Sequence, residues 1–260
     1  MKLDFTIDKY RELLCTLQEN SYVTMGIEDY IKTQSKPEKC ALMRHDIDRK
    51  PLKALKVAKI EKEYDVHSTF YFRMNKETFK PDIITQIKDM GFEIGYHYEV
   101  MDKAKGDINK AILLFNEELE LFRRYCDIKT VCMHGNPLTP WNNLDIWKKI
   151  KFDLFDLVGE PYLSLDYRKV LYLTDTGRSW GNKRYNLKDS VDSPQQTDLL
   201  KNTDDVIRLI ENGSVSTMCI STHCNRWSET GTEWIQEIIH QNVKNLGKYF
   251  LSHLRPMQNS

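Results

Sequence analysis

Six short segments rich in apolar, β-branched and aromatic residues alternate with helical patterns along most of this chain. The segments are Cys40–Met43, Ser68–Phe72, Phe92–Tyr98, Thr130–Met133, Val170–Leu173 and Ser214–Ile220. Regular alternation of strand and helix favours one sheet of parallel strands with helices packed against it. We therefore predict a single α/β domain over residues 1–260, with residues 1–39 as a helical extension at its start.

Two architectures fit this alternation, a closed or nearly closed (β/α) barrel and an open doubly wound sheet. No G-x-G-x-x-G or G-x-x-x-x-G-K-[ST] motif follows any of the segments. That absence disfavours the nucleotide-binding forms of the open sheet. The strand pattern alone leaves both architectures open.

Charge, hydropathy and cysteine usage narrow the class of protein. Basic and acidic side chains number 38 each, so the chain lacks the positive charge of a general nucleic-acid binder. The longest apolar run, Ala111–Phe115, is far too short to span a membrane. The first residues do not resemble a secretory signal, and the six cysteines form no C-x-x-C pair. These features predict a cytoplasmic protein without a membrane span or a nucleic-acid partner.

Side chains that can bind metals or protons follow five of the predicted strands. They are Asp46 and Asp48 after the first strand, His97 with Glu99, His134, Asp175 and His223. Because the carboxyl ends of parallel strands share one face of a barrel, these side chains are predicted to converge. Taken singly, an Asp at a strand end can equally cap a helix, and His45 and His67 are interpreted as structural.

Carboxylates together with imidazoles suit a borderline divalent metal such as Zn²⁺. Such an ion lowers the pKa of water and polarises a carbonyl group. A second carboxylate can then act as the general base, and a second imidazole as the general acid. No Ser or Cys stands in a nucleophile-elbow motif, so the pattern indicates a metal-dependent hydrolase.

Five motifs in this order resemble those of the polysaccharide deacetylases with a NodB homology domain, carbohydrate esterase family four. The motifs are Arg44–Asp48 (RHDID), Ser68–Phe72 (STFYF), Gly91–His97 (GFEIGYH), His134–Pro137 (HGNP) and Ile220–His223 (ISTH). The similarity covers roughly residues 40–225 and is greatest to the branch found in bacterial O-antigen and other surface-polysaccharide biosynthesis. It implies a distorted TIM-like (β/α) barrel of about seven parallel strands, and hydrolysis of an N- or O-acetyl group with a divalent metal.

The resemblance also implies individual roles. Asp46 matches the general base, Asp48 the metal-binding aspartate, His97 the first metal-binding histidine and His223 the general acid. Asp175 with Trp180 resembles a supporting Asp–Trp element of the family, which orients catalytic groups and forms part of the pocket wall.

Two departures from the family pattern concern the metal. The paired aspartates are usually adjacent, whereas Ile47 separates them here, and Met101 stands where the second metal-binding histidine is expected. We predict that His134 replaces that histidine as the third ligand, with Glu99 and His223 as the competing candidates.

Aromatic residues in the loops suggest how a sugar could be bound. Trp141, Trp180 and Trp227 lie in loops that follow predicted strands, and indole faces suit the apolar patches of a pyranose ring. These three residues and Asp175 are the predicted substrate-binding residues. Core packing is the alternative, above all for Trp180.

The predicted function is a metal-dependent hydrolase, Zn²⁺ being the predicted cofactor, that removes an acetyl group from an acetylated sugar or sugar-linked precursor. The same site chemistry would serve an amidohydrolase that acts on a small non-sugar amide. A third hypothesis, favoured by the unmatched second histidine, is a catalytically silent barrel that binds carbohydrate or a partner.

Overall fold

Seven parallel strands form the sheet of this protein. The structure is a computed structural model that describes residues 3–180, 188, 191–192, 197 and 199–254, with side chains as far as residue 246. The strands are β1 (Val23–Met25), β2 (Cys40–Ile47), β3 (Thr69–Arg73), β4 (Glu93–Tyr98), β5 (Val131–Met133), β6 (Leu171–Thr174) and β7 (Thr217–Thr222). Each of the six predicted segments contributes a strand. The short β1 was not predicted.

The order of neighbouring strands is the order met on going once around a barrel. It reads β5-β4-β3-β2-β7-β6, so that β2 pairs with the last strand, and β1 lies beside the amino-terminal half of β2. Within the described residues no ladder joins β5 to β6, and only an isolated bridge between Thr130 and Gly159 occupies that gap. The predicted α/β class and distorted parallel barrel are confirmed.

Helices alternate with the strands, and most of them cover the outer face of the sheet. They are α1 (Ile7–Glu19), α2 (Ile27–Lys32), α3 (Pro51–Glu63), α4 (Pro81–Asp89), α5 (Val100–Lys103), α6 (Ile108–Arg123), α7 (Pro161–Ser164), α8 (Thr203–Glu211) and α9 (Gly231–Leu254). Local sequence explains several helix starts, since Thr6 and Asp107 cap α1 and α6 with their side chains. Of these nine helices, none has the length and apolar character needed to cross a membrane.

Side-chain alternation sorts each strand into an outer and an inner face, because successive residues of a strand point to opposite sides. Outward residues of β2 such as Ala41 and Met43 join the large core under α1, α3, α4, α6 and α8. Inward residues such as Cys40 and Leu42 form a smaller cluster with Tyr71, Cys132 and Cys219 from the facing strands. The inner face of the barrel is therefore a separate environment from the outer core.

The strand β2 is longer than predicted, and its length determines what its polar residues face. Every residue from Cys40 to Ile47 is buried. His45 points outward, where its ring nitrogens contact Glu61 Oε1 at 2.9 Å and Thr222 Oγ1 at 2.6 Å. Asp46 and Asp48 belong to the inward set, as their spacing of two residues requires.

One glycine is required by the packing inside the barrel. Gly95 on β4 is paired with Tyr71 on β3, and a Cβ atom at this glycine would lie 2.2 Å from the tyrosine ring. The phenol crosses the space above the glycine and shares a hydrogen bond of 2.8 Å with Thr130 Oγ1. This contact closes the interior below the carboxyl ends of the strands.

Candidate metal centre and active site

The carboxyl ends of the strands open into a cavity of about 330 Å³. Its lining includes all five residues predicted to carry the chemistry, Asp46, Asp48, His97, His134 and His223, together with Arg226, Gln241, Lys244 and the segment Gly135–Leu138. The tertiary structure thus brings together residues from four strand ends, as the sequence analysis predicts.

Asp48 lies at the centre of the cluster, with three imidazoles around its carboxylate. Its Oδ1 atom is 3.6 Å from His97 Nε2 and 3.5 Å from His134 Nε2, and its Oδ2 atom is 3.6 Å from His223 Nε2. The buried Oδ1 atom has no hydrogen-bond partner among the described residues. Burial alone would raise the pKa of Asp48, but the surrounding imidazoles and Arg73 hold it far below its ordinary value.

His97 is oriented by the backbone of the neighbouring strand. Its Nδ1 atom lies 2.9 Å from the carbonyl oxygen of Cys132, which can only accept a hydrogen bond. Nδ1 therefore carries a proton that it donates to this carbonyl, and Nε2 faces Asp48. This tautomer is the one that metal-binding histidines adopt when a backbone carbonyl supports them.

His134 lies between two carboxylates. Its Nε2 atom faces Asp48, whereas its Nδ1 atom is 3.5 Å from Glu99 Oε2. Burial, assisted by the positive charge of Arg73, lowers the pKa of His134 to about 3. The ring is therefore neutral at physiological pH, as a metal ligand must be.

Glu99, a competing candidate for the third ligand, lies behind His134 rather than beside Asp48. Its carboxylate accepts a hydrogen bond of 2.5 Å from Arg73 Nη2. Met101, where the family pattern expects a histidine, is buried in the outer core and donates its backbone N–H to Asn143. Of the residues considered for the third position, His134 and His223 face Asp48 directly.

The residues present fit a divalent metal with nitrogen and oxygen ligands. Two donors about 2.1 Å from one tetrahedral Zn²⁺ lie about 3.4 Å apart, close to the separations that Asp48 Oδ1 shows from His97 and His134. The carboxylate oxygen without a partner gives the same indication, since most buried polar atoms in folded proteins are hydrogen-bonded. We therefore assign Asp48, His97 and His134 as the candidate ligand set.

The two triplets whose possible ligand atoms all lie within 4.8 Å of one another among the described residues do not include this set, and their carboxylates are already engaged. They are Asp46 with His97 and Cys132, and Glu99 with Asp102 and His134. Asp46 is bound to Arg44, Glu99 to Arg73, and Asp102 accepts hydrogen bonds from Thr139 and Asn143. These triplets are weaker candidates because each of their carboxylates already accepts a hydrogen bond through one oxygen at least.

Asp46 is held by an arginine two residues earlier on the same face of β2. Arg44 Nη2 donates to Asp46 Oδ2 at 2.7 Å, and both residues are buried. Burial opposes ionisation, but the guanidinium and the imidazoles of His97 and His223 lower the pKa of Asp46 below its ordinary value. Its Oδ1 atom has no partner among the described residues, so one carboxylate oxygen can accept a proton from the cavity.

His223 is fixed from behind by Asp175. Asp175 Oδ1 lies 2.8 Å from His223 Nδ1, and Oδ2 accepts the backbone N–H of the same histidine at 3.0 Å. The carboxylate also accepts from Arg226 Nη1 at 2.6 Å and from Trp227 Nε1 at 3.2 Å. Although burial alone would raise it, the pKa of Asp175 is lowered by Arg226 and His223. Asp175 thus directs Nε2 of His223 toward the cavity.

The predicted substrate-binding set needs correction. Asp175 is fully buried and does not line the cavity, so it supports His223 instead of touching a ligand. Trp227 is also fully buried and is the indole that bonds Asp175. Trp180, predicted to partner Asp175, donates to Thr203 Oγ1 at 3.0 Å and packs against Phe5.

Trp141 is the remaining tryptophan of that set. It is half-buried against Gly106, where a Cβ atom would lie 2.1 Å from its Nε1 atom, and it is not among the cavity-lining residues. Trp180 and Trp227 are thus buried core residues, whereas contact of Trp141 with a sugar stays a prediction. The loop residues at the cavity include Gly135–Leu138 after β5 and Thr176 after β6.

Sequence reasoning gave no role to Arg44, Arg226, Gln241 or Lys244. Arg44 could have been found, because it has the same inward parity on β2 as Asp46 and Asp48. Gln241 and Lys244 lie on α9, distant in sequence from every motif, and no local pattern marks them.

No protein-family model matches the sequence, and no curated protein matches it. Among solved structures, the chain is similar to peptidoglycan deacetylase PdaC from Bacillus subtilis, with a TM-score of 0.41, 12% identity, and coverage of 80% of this chain and 96% of that chain. It is also similar to the Xyl-CE4 domain of a multidomain xylanase from the hindgut metagenome of Trinervitermes trinervoides, with a TM-score of 0.40, 15% identity, and coverage of 81% and 85%. At such low TM-scores neither likeness carries an argument about the activity of this chain.

Proposed function

We propose that this protein is a metal-dependent hydrolase that removes an acetyl group from an acetylated sugar. The observation that carries the proposal is the buried Asp48 Oδ1, which has no hydrogen-bond partner within the described part of the chain and lies near Nε2 of both His97 and His134. A divalent ion such as Zn²⁺, held by these three residues, would lower the pKa of water and polarise the acetyl carbonyl.

Asp46 has the properties of a general base. The ion pair with Arg44 keeps the carboxylate ionised at neutral pH and fixes one of its oxygens. The other oxygen, Oδ1, is left to accept the proton of the attacking water. A correctly placed base contributes roughly 10²–10⁴ in rate.

His223 has the properties of the general acid. Its Nδ1 atom faces Asp175, so that Nε2 points into the cavity and can protonate the departing amine or alkoxide. Asp175 stays ionised and stabilises the charged imidazolium. Base and acid therefore line one cavity on separate strands, as hydrolysis of an acetyl group requires.

The proposed substrate is a sugar-linked precursor of a bacterial surface polysaccharide such as O-antigen, handled in the cytoplasm. The motif resemblance supports the sugar, and the six free cysteines support a reducing compartment. The cavity of about 330 Å³ is near the lower limit for small-molecule sites and suits one sugar unit.

The test combines metal analysis with acetate release. Protein purified without chelator or metal affinity resin is expected to contain about one equivalent of a divalent metal. It should release acetate from at least one member of a panel of N- and O-acetylated sugars and nucleotide sugars, and lose that activity after chelation.

The same experiment separates the alternatives. Metal without activity on any sugar, but with activity on simple acetamides, would favour the amidohydrolase. Protein that binds no metal and releases no acetate would be the silent barrel, and the proposal would be abandoned.

A further inference from the structure

The C-terminal helix α9 packs its polar side against the body of the protein and borders the proposed active site. Glu237, Gln241 and Asn245 lie on one side of this helix and are each less than a tenth exposed. Gln241 donates to Asn245 Oδ1 at 2.8 Å, and Asn245 donates to the carbonyl oxygen of Gly177 at 3.1 Å. Gln241 and Lys244 also line the cavity that contains the candidate metal ligands. The helix therefore contributes side chains to the binding of a ligand in this cavity.

Lys244 is the cation that α9 brings to the cavity. Among the residues that the structure describes, none forms a hydrogen bond or an ion pair with its ammonium group. Two acids attract it through space, Asp48 and Glu237. Glu237 is already engaged in ion pairs with Arg49 and Lys50. Asp48 is therefore the nearby carboxylate left to balance the charge of Lys244.

The charges in the cavity are unbalanced once a metal is bound. Apart from the histidines, four charged side chains line the cavity within the described part of the chain: Asp46, Asp48, Arg226 and Lys244. Asp46 is paired with Arg44, which lies on the same face of β2. Arg226 is paired with Asp175. A divalent ion on the remaining carboxylate would take up its charge, and the ammonium group would then lack a counter-charge.

The groups that line the cavity together with Lys244 suit a charged sugar. Gln241 uses its N–H to bond Asn245, so its amide oxygen can accept a hydrogen bond from a hydroxyl group. Arg226 bonds Asp175 through Nη1, and its guanidinium has further N–H donors beside the cavity. The exposed Leu138 adds apolar surface at the same cavity.

We propose that Lys244 binds an anionic group, a phosphate or a carboxylate, on the acetylated sugar itself. This inference rests on the proposed function and narrows its substrate to acidic sugars. An ammonium group binds either anion through charge-assisted hydrogen bonds. Because the cavity suits one sugar unit, the anionic group belongs to the unit that carries the acetyl group or is attached directly to it.

Binding of deacetylated sugars to the metal-loaded protein tests the anion site without turnover. The probes are glucosamine and galactosamine, their 1-phosphates, and the corresponding 2-amino uronic acids, so that the two sources of negative charge are compared. By isothermal titration calorimetry, at least one anionic probe is expected to bind about tenfold or more tighter than its neutral parent. This preference should decrease at raised salt.

Variants of Lys244 assign the preference to this residue. Lys244→Gln should remove most of the preference for the anionic probe, whereas Lys244→Arg should retain most of it because the positive charge remains. The matched control is Lys110→Gln on α6, another exposed helical lysine that does not line the cavity, which should bind like the wild type. Circular dichroism establishes that the variants are folded.

The outcomes separate this inference from the proposed function. If no anionic probe binds more tightly than its neutral parent, the anion site is overturned. It is also overturned if Lys244→Gln keeps the full preference, which would assign the anion to the metal. Acetate release is measured separately on the N-acetylated probes, where Lys244→Gln should lower the ratio of kcat/KM for acidic over neutral sugars, mainly through KM. Anion-selective binding without acetate release would count against the proposed hydrolase alone, and equal release from acidic and neutral sugars would count against the anion site alone.

Discussion

The two ends of the barrel interior both bury carboxylates, but they treat them in opposite ways. At the amino-terminal end, Glu93 accepts hydrogen bonds from the hydroxyls of Thr69 and Thr130 and from the backbone N–H of Glu28. Burial raises the pKa of Glu93 to about 7. At the carboxyl-terminal end, Asp46 and Asp48 have lowered pKa values, and each has one oxygen that no described residue contacts by a hydrogen bond.

The difference shows which buried carboxylate is structural and which is available for chemistry. Both oxygens of Glu93 have donors, so this residue joins two strands and has nothing left to bind. Asp48 faces imidazoles at separations too long for hydrogen bonds, in a cavity open to ligands. Burial of an acid alone therefore does not identify a site, whereas burial with unused lone pairs does.

The largest effects are expected from substituting Asp46 and Asp48, the two aspartates at the carboxyl-terminal end. Asp46→Asn should keep the metal and lower turnover by roughly 10²–10⁴, as expected for loss of a general base. Asp48→Asn should lose the metal and the activity together, because a neutral amide is a poor ligand. Metal content and acetate release are measured for both. Full activity in Asp46→Asn would end its assignment as the base, and equal metal loss would make the two residues joint ligands.

The pH dependence of stability tests the role of Glu93 at the amino-terminal end of the barrel interior. The pKa of Glu93 is about 7 in the folded protein and 4.5 in the unfolded chain. The folded state therefore gains its full stability from neutral Glu93 below about pH 4.5, and this gain is lost as the pH rises through 7. Glu93→Gln fixes the neutral state, so from pH 4.5 to 8 the unfolding free energy of the wild type should fall relative to the variant, by up to about 3 kcal/mol. Denaturant titrations at several pH values measure this difference. A constant difference would show that Glu93 is not destabilised when it ionises.

The third ligand is tested by comparing His134 with the carboxylate behind it. His134→Ala should abolish tight metal binding, whereas Glu99→Gln should weaken it by less than about tenfold, because the Glu99 carboxylate lies 3.5 Å from His134 Nδ1 without a hydrogen bond. Met101→Leu is the matched control, because this side chain is buried in the outer core. If His134→Ala retained full metal while Glu99→Ala lost it, the carboxylate would be the ligand.

The smallest effect is expected for the indole that bonds Asp175. Trp227→Phe removes one hydrogen bond to the carboxylate that orients His223, and should lower kcat by about three- to tenfold with little change in metal content. Trp180→Phe removes a bond to Thr203 instead and should leave kcat unchanged. Equal effects of the two changes on kcat would show that Trp227 contributes only through packing.

Much of this site followed from local sequence. The alternation of strands and helices predicts the parallel sheet, and period two along β2 puts Asp46 and Asp48 on one face. Because parallel strands end at one edge, the same pattern predicts that His97, His134 and His223 meet those aspartates. These features depend on the backbone geometry of single elements, which short stretches of sequence determine.

Tertiary packing decided the rest. Sequence could not show that Glu99 is held behind His134 by Arg73, or that Asp175 takes Trp227 and not Trp180 as its indole partner. Nor could it show that the polar face of α9 packs inward. Each of these outcomes depends on which side chains from distant elements come into contact, and no local periodicity of the sequence determines those contacts.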